Sequence, residues 1–326
     1  MVLTTRLTER LGIRHPIISA PMAFAAGGRL AAAVSAAGGL GLIGGGYGDA
    51  DWLANEFHAA GEQPVGCGFI TWSLRKQPDL LDLALSHHPS AVFLSFDDPE
   101  PFAAHIKQHG ITLICQVQTR RDAERAIDCG ACVIVAQGAE AGGHGEKRAT
   151  FTLVPEVADL IAAKSPQTLL CAAGGIGDGR GLAAALMLGA DGVLVGSRLW
   201  ASMEANVSQE MHDAALAATG DDTIRSQVMD LARKLDWPSR FTARVLKNRF
   251  VERWHGQEAE LLTVADEEAA KYRKAWAEGD PDNSNTFVGE VAGLIHEIAP
   301  ASEIIEHMVR EAALRLQAGV DIGAGL

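Results

Sequence analysis

The stretch TLLCAAGGIGDGRGLAAALMLGADGVLVG, residues 168–196, contains the unit that decides the fold. An apolar run, TLLCAA, leads into a glycine-rich turn, and a helix-like segment, GRGLAAALMLGA, leads into a second apolar run, GVLVG. Short runs that are apolar almost throughout are typical of strands buried on both faces of a parallel sheet. The stretch therefore predicts a strand, a crossover helix and a parallel strand.

The same unit recurs along the first two thirds of the chain. Helix-like segments, several of which end in glycine, separate the apolar runs. The runs are PIISA from Pro16, GLGLI from Gly39, VGCGFI from Val65, AVFLS from Ala91, TLICQV from Thr112, CVIVA from Cys132, TLLCAA from Thr168 and GVLVG from Gly192. Most begin roughly 20 to 26 residues apart, which suits one βα unit each. Eight such units predict a closed (β/α)8 TIM barrel, with a doubly wound open sheet as the alternative.

The pattern changes after Trp200. Helix-like pieces follow, with no apolar run of comparable quality, and an amphipathic stretch lies near the carboxyl end. We expect residues 1–200 to form the barrel and residues 201–296 to form a small helical excursion over the barrel mouth. Residues 297–326 are then expected to supply a helix that completes the barrel wall.

The composition disfavours several classes of protein. A net charge of −13 with no basic stripe argues against nucleic-acid binding. The first residues lack the apolar core of a signal peptide, and no apolar stretch is long and continuous enough to span a bilayer. The five scattered cysteines form no disulfide framework, and no second pair completes a metal site around the CGAC segment at residues 129–132. We expect a cytoplasmic protein without a bound metal.

The segment AQGAEAGGHGEKR, residues 136–148, makes the step from the sixth to the seventh predicted strand unusually long. Loops at this end of a barrel carry the active site, and insertions there are usually functional. His144 lies among glycines in this loop, and a histidine side chain exchanges protons near neutral pH. We therefore predict an acid–base role for His144, with a surface histidine as the alternative. Glu140 is expected to position the loop.

Glycine turns follow the seventh and eighth predicted strands, at residues 172–181 and 195–198. Backbone N–H groups of such turns, with a following helix N-terminus, form anion sites, and TIM barrels often hold a phosphate at these two positions. They predict a phosphate-bearing cofactor, with plain tight turns as the alternative. GLGLIG, residues 39–44, matches a dinucleotide fingerprint but lacks the preceding strand that the fingerprint requires. Its glycines are expected to make room inside the barrel.

Further candidates lie where other predicted strands end. Met22, after Pro21, ends the first strand and could lay its backbone against a flavin. Gly68, Gln116 and Gln137 end the third, fifth and sixth strands, so we expect them on the same face. Neutral amides there suit hydrogen bonds to a flavin, although each could equally be structural.

These residues together resemble the nitronate monooxygenase family, formerly called 2-nitropropane dioxygenases, which are FMN-dependent barrels related to FabK-type enoyl reductases. The matching stretches are APMAFAAGGRLAAAVSAAGGLGLIG, AQGAEAGGHG and AAGGIGDGRGLAAALMLGADGVLVGSR. The resemblance implies that His144 is the catalytic residue. It also implies FMN contacts at Ala20, Pro21, Met22, Gln116, Gly142, Gly143, Ala173, Gly174, Gly175, Gly196 and Ser197. Three positions depart from the family pattern: Gly68, where many relatives carry Asn; Ser197, where Thr is common; and Ser19, where Gln is frequent.

The resemblance implies oxidation of alkyl nitronates or nitroalkanes by FMN and O2 to a carbonyl compound and nitrite. His144 would be the general base, and Phe24, Trp72 and Trp200 are the candidates for the substrate pocket. The alternative is an NAD(P)H-dependent FMN reductase that acts on quinones or enoyl thioesters. A third class, a non-catalytic flavin- or phosphate-binding protein, stays open. The expected partners are a small-molecule substrate and O2, and a homodimer is left open.

Overall fold

The computed structural model describes residues 3–324. The strands are β1 (Ile17–Ser19), β2 (Leu42–Gly44), β3 (Gly66–Ile70), β4 (Ala91–Ser95), β5 (Thr112–Val117), β6 (Val133–Gln137), β7 (Gly143–Gly145), β8 (Leu169–Ala173), β9 (Gly192–Val195), β10 (Thr223–Ser226) and β11 (Thr242–Leu246). All except β7, β10 and β11 form one parallel sheet, so the seventh and eighth predicted strands are β8 and β9.

The helices alternate with these strands through the first two thirds of the chain and dominate the remainder. They are α1 (Arg6–Leu11), α2 (Gly28–Ala36), α3 (Ala50–Ala60), α4 (Thr71–Leu74), α5 (Asp79–Ser86), α6 (Glu100–Gln108), α7 (Arg120–Asp128), α8 (Thr150–Lys164), α9 (Gly179–Met187), α10 (Ser197–Trp200), α11 (Gln209–Leu216), α12 (Val228–Ala232), α13 (Arg249–Trp254), α14 (Glu258–Thr263), α15 (Ala265–Glu278) and α16 (Ala301–Ala324). Two 3₁₀ turns span Gly220–Asp222 and Glu290–Leu294.

The parallel sheet curls until its two ends meet. Its strand order is β1-β9-β8-β6-β5-β4-β3-β2, and a parallel bridge joins Ile18 of β1 to Leu40, just before β2. The Ser19 backbone N–H also donates to the Leu40 carbonyl at 2.9 Å. The predicted TIM barrel is therefore confirmed, and the open doubly wound sheet is wrong.

The side chain of Ser19 takes part in the closure. Its Oγ accepts a hydrogen bond from the Leu42 backbone N–H at 2.9 Å, and Ser19 is fully buried. A small hydroxyl at this position thus completes the narrow seam between β1 and β2. This contact gives a structural role to one of the three departures from the family pattern.

We expect Ser19→Ala to lower the free energy of unfolding by about 1–3 kcal/mol, because the buried Leu42 N–H loses its acceptor. Urea unfolding followed by circular dichroism measures this loss. Ser202→Ala is the matched control, since Ser202 is equally buried but its Oγ has no partner within residues 3–324. Equal losses in the two variants would contradict the role of Ser19.

Apolar side chains fill the barrel interior and close its amino end. The interior cluster includes Ile18, Leu42, Phe93, Ile114, Val133, Val135, Cys171 and Leu194. Leu7 of α1 packs into the same cluster and is fully buried. With the interior filled in this way, the carboxyl ends of the strands are left to form a binding site.

The glycines of GLGLIG permit close backbone packing at β2. A Cβ at Gly41 would lie 1.8 Å from the carbonyl oxygen of Ala31 in α2, and one at Gly44 would lie 2.5 Å from the carbonyl oxygen of Met22. Helix α2 precedes the motif and β2 forms its second half, which is the reverse of the order in a dinucleotide fingerprint. These glycines therefore make room for neighbouring backbone.

The segment 201–296 contains two strands that the sequence analysis did not predict. β10 and β11 pair antiparallel, and β11 pairs with β7 from the His144 loop. The strands read TIRS and TARVL, and β7 reads GHG, so none has the apolar run that reveals a barrel strand. The segment thus contains short helices and two strands, and a three-stranded sheet ties it to the His144 loop.

Helix α16 packs against α9 and α2 on the outside of the barrel. A Cβ at Gly179 would lie 2.5 Å from the backbone of Met308 and Ala312, so the helices approach closely there. The division at residues 200 and 296 stays a prediction.

Candidate active site

A cavity of about 310 Å³ opens at the carboxyl ends of the barrel strands, between the barrel and the excursion. The structure brings almost every predicted site residue to its wall. Those in the lining are Ala20, Pro21, Met22, Phe24, Gly68, Gln116, Gln137, Gly142, Gly143, His144, Ala173, Gly174, Gly175, Gly196, Ser197 and Trp200. One cavity thus collects residues from most of the barrel strands and from the excursion.

Trp72 is the predicted pocket residue that does not line the cavity. Helix α4 begins immediately after β3, and Trp72 lies in its first turn with 9% of its surface exposed. Its ring packs behind Tyr47 and Trp237, at centroid distances of 6.2 and 5.3 Å. Trp72 therefore supports two residues that do line the cavity.

Unbonded backbone donors collect where β8 and β9 end. The N–H groups of Gly175, Ile176 and Ser197 have no hydrogen-bond acceptor within residues 3–324. Gly174 and Gly175 adopt positive φ values of 97° and 73°, which a side chain would strain. A row of free N–H groups on a glycine turn is the arrangement that binds phosphate. This part of the cavity fits a phosphate group.

Glu140 lies beside this turn but its carboxylate is already bound elsewhere. It accepts hydrogen bonds from the Thr150 backbone N–H at 3.0 Å and from the Thr150 hydroxyl at 2.8 Å. Thr150 is the first residue of α8, so a carboxylate there is favourable at the helix N-terminus. Glu140 thus holds the His144 loop against α8, as the sequence predicted.

Three glutamine amides form a ladder along the cavity wall. Gln116 and Gln118 both donate to Oε1 of Gln137, at 3.2 and 2.8 Å. The Gln137 amide in turn donates to the backbone carbonyl of His144 at 3.1 Å. The ladder fixes the rotamers of Gln116 and Gln137 and ties the barrel strands to the histidine. Neutral amides held in this way fit a polar ring edge.

The missing side chain at Gly68 is explained by Pro21. A Cβ at Gly68 would lie 2.4 Å from both the Cβ and Cγ of Pro21, so the proline ring occupies that space. Gly68 is the central residue of β3 and does not end the strand as predicted, so the Ala20–Met22 turn packs on the middle of β3. Glycine at position 68, where many relatives carry Asn, thus allows two segments of the cavity wall to pack in close contact.

His144 sits in a strand and not in an open loop. It is the central residue of β7, opposite Ala243 of β11, and only 8% of its surface is exposed. Its Nε2 is 2.8 Å from Oδ2 of Asp230, whose side chain is only 4% exposed. Nδ1 has no hydrogen-bond partner in the described part of the chain and is not fully buried, so it meets the cavity. The pair is therefore an oriented imidazole with one nitrogen free to react.

Burial lowers the pKa of His144 below the ordinary histidine value, and the hydrogen bond and charge of Asp230 act in the opposite direction. The indole of Trp237 stacks on the imidazole with ring centroids 3.4 Å apart and planes 6° apart. This stack covers one face of the ring and limits its contact with water. His144 is thus kept neutral near pH 7, in the form that accepts a proton.

Two aromatic residues of the wall have unusual backbone conformations. Phe24 and Phe96 both have φ values of 65°, in the left-handed region that non-glycine residues rarely adopt. Phe96 follows β4 directly, and its ring contacts those of His144 and Trp237. Strain of this kind clusters at functional sites, where the surrounding fold holds it.

Sequence reasoning missed several residues of the site. Asp230, Trp237, Arg233 and Asn285 all belong to the excursion and carried no local motif. Asp230 lies 86 residues from His144 in sequence, so no spacing rule could connect them. The aromatic residue Trp237 was visible only as one of several tryptophans after residue 200.

Within residues 3–324, no cluster of His, Cys, Asp and Glu side chains has a geometry that could hold a metal ion. Cys129 and Cys132 of the CGAC segment are both free. None of the described helices combines the length and the apolar character needed to cross a bilayer.

Comparison with known proteins identifies relatives along almost the whole chain. The sequence model of the family "Nitronate monooxygenase" matches residues 4–67 and 73–311. A nitronate monooxygenase of Neurospora crassa is 31% identical over 92% of this chain and 90% of its own length. The nitronate monooxygenase npaC of Metarhizium robertsii is 35% identical over 89% of this chain and 88% of its own length.

Among solved structures, FabK from Thermotoga maritima is similar in both fold and sequence. It superposes with a TM-score of 0.85 at 33% identity and covers 99% of each chain. The family match, the relatives and the cavity geometry agree on one class of protein. This chain is an oxidoreductase that belongs to the nitronate monooxygenase family, whose members are flavoproteins.

Proposed function

We propose that this protein binds FMN in the cavity and uses O2 to oxidise alkyl nitronates and nitroalkanes to a carbonyl compound and nitrite. The observation that carries the proposal is the buried His144–Asp230 pair, which presents one free imidazole nitrogen to a cavity with a glycine-lined anion cradle. In overall balance, two nitronates and one O2 give two carbonyl compounds and two nitrite ions. The family names of the relatives support the same reaction.

The cavity residues fit FMN without a charged partner for its phosphate. Free N–H groups at Gly175, Ile176 and Ser197 would hold the phosphate. The amides of Gln116 and Gln137 would bind polar edges of the flavin. When bound, FMN supplies the electron transfer between substrate and O2.

His144 handles the proton in this proposal. Because its Nε2–H donates to Asp230, the lone pair on Nδ1 is free to take the α-proton of a neutral nitroalkane. The Asp230 carboxylate then stabilises the imidazolium that forms. A nitronate has already lost that proton, so its oxidation does not need His144 as a base.

We expect kcat/KM for a neutral nitroalkane to fall as the pH drops through a pKa below about 6.5, the ordinary histidine value, because protonated His144 is no base. Asp230→Asn removes the carboxylate that raises the pKa of His144. The acidic limb of the pH–rate profile should therefore move to lower pH in this variant.

Freshly dissolved nitroalkane, assayed by initial rates between pH 4.5 and 8, roughly spanning the histidine range, gives the profile. Asp236→Asn is the matched control, since Asp236 lies on the same segment but its side chain is 87% exposed. An acidic limb that stays in place or moves upward in Asp230→Asn would contradict the role of the pair.

The similarity to FabK keeps an NAD(P)H-dependent reductase as the second candidate. Such an enzyme would act on quinones or enoyl thioesters with the same cofactor site. Flavin extracted from the purified protein should be FMN, and both O2 uptake and nitrite release should depend on added nitronate. A bound flavin with no nitrite release from any nitronate would overturn the proposed reaction.

A further inference from the structure

Arg233 places an unusual charge in the wall of the cavity. Its guanidinium lies over the ring of Tyr47 at 4.9 Å and near the ring of Phe287 at 5.9 Å. No carboxylate within residues 3–319, whose side chains the structure describes, lies within ion-pair distance of it. The nearby Asp230 is bonded to His144 through Oδ2, and although its charge acts on Arg233, it forms no ion pair with the guanidinium. The guanidinium is thus half-buried in the cavity wall with no carboxylate in direct contact.

Asn285 is the second unsatisfied group on the same wall. It is fully buried, and neither Nδ2 nor Oδ1 has a hydrogen-bond partner among the described residues. Asn285 and Arg233 both belong to the cavity lining, and Tyr272 links them, because its hydroxyl lies at the Asn285 backbone and the charge of Arg233 acts on it. The amide atoms have almost no accessible surface, so Asn285 reaches a ligand only after it turns toward the cavity, where the ligand would supply the partner that the amide lacks.

Arg233 and Asn285 would both bind the same kind of ligand group. A guanidinium offers parallel N–H donors that match the two oxygens of a planar anion, and an amide adds a further donor. Nitronates and carboxylates both present two oxygens in one plane with a negative charge. Aromatic rings on either side would shield such an ion pair from water and strengthen it.

We propose that Arg233 and Asn285 form a subsite for the planar two-oxygen anion of the substrate and thereby select anionic substrates over neutral ones. The identity of the substrate in this inference rests on the proposed function. The binding of a planar anion by the subsite does not. The titratable groups around the subsite are Asp230, His144, Tyr47 and Tyr272. Since His144 is kept neutral, Arg233 supplies a positive charge in the same cavity wall, and this charge acts on His144.

Butyrate and butyramide test the subsite on the purified holoenzyme without any turnover. Butyrate copies the shape and charge of propyl-1-nitronate, whereas butyramide copies its shape alone. Isothermal titration calorimetry should show that butyrate binds about tenfold or more tightly than butyramide. Arg233→Met should remove that preference, and Arg233→Lys should restore part of it.

Matched variants separate recognition from damage to the fold. Lys234→Met removes the same charge at the next residue, where the side chain is 51% exposed, and should leave butyrate binding unchanged. Asn285→Asp keeps the volume but places a carboxylate beside Arg233, so it should abolish butyrate binding and spare butyramide. Equal affinity for the two ligands in the wild type, or a loss in Lys234→Met as large as in Arg233→Met, would overturn the subsite.

Steady-state kinetics identify the anion that is held. A KM for propyl-1-nitronate that rises about tenfold or more in Arg233→Met, with kcat little changed, assigns the subsite to the reacting nitronate. An unchanged KM with lost butyrate binding assigns it to a carboxylate elsewhere on the substrate. Binding of butyrate through Arg233 without oxidation of any nitronate would support the subsite and contradict the proposed reaction.

Discussion

His144→Ala should lower kcat/KM for a neutral nitroalkane by about 10²–10⁴-fold, the usual contribution of a general base. The corresponding nitronate should lose far less, because its α-proton is already gone. Initial rates of nitrite release, measured with the same carbon skeleton in both forms, give the two ratios. The difference between them isolates proton transfer from binding and redox chemistry.

Removal of any buried histidine can disturb the fold, so the comparison needs a control. His15 is also buried, with 5% of its surface exposed, but it precedes β1 at the opposite end of the barrel. His15→Ala should affect the two substrates equally, whatever its effect on stability. Small and equal losses of kcat/KM for the two substrates in His144→Ala would contradict the role of His144 as a base.

Gly41→Ala should destabilise the protein by about 3 kcal/mol or more, the upper range for overpacked cores. The new Cβ would lie 1.8 Å from the Ala31 carbonyl oxygen, and backbone atoms of α2 have no rotamer with which to move away. Urea unfolding or the midpoint of thermal unfolding measures the loss. The variant tests whether the glycines of GLGLIG serve close packing of β2 on α2.

Gly319→Ala provides the contrast. A Cβ at Gly319 in α16 meets no atom within 4 Å, so alanine should stabilise the helix by up to about 1 kcal/mol. A Gly41→Ala protein as stable as the wild type would show that α2 and β2 are not packed as closely as the structure has them.

The barrel could be predicted because each strand has its own local signal. Runs such as CVIVA and GVLVG are apolar almost throughout, and the glycine turns after β8 and β9 lie next to the strands that place them. Since all parallel strands end on one face, the residues at those ends had to meet. The position of Gln116, Gln137 and Gly196 at the cavity could therefore be predicted from the sequence.

The chemistry around His144 could not be predicted, because it depends on contacts between distant segments. β7 has two glycines among its three residues and exists only because β11 pairs with it. Asp230, Trp237 and Arg233 reach the cavity through the fold of the excursion, which has no repeating pattern. Trp72 was predicted to line the pocket because it follows a barrel strand. It does not, because α4 turns its side chain away from the cavity.

Anaerobic mixing of the flavin-loaded protein with single electron donors tests the central claim most directly. Propyl-1-nitronate, NADH and NADPH are added separately, and the absorbance of the oxidised flavin is followed after each. We expect rapid loss of the oxidised-flavin absorbance with nitronate and little change with NADH or NADPH. Rapid loss with NADH or NADPH and none with nitronate would contradict it and identify a reductase on the same barrel.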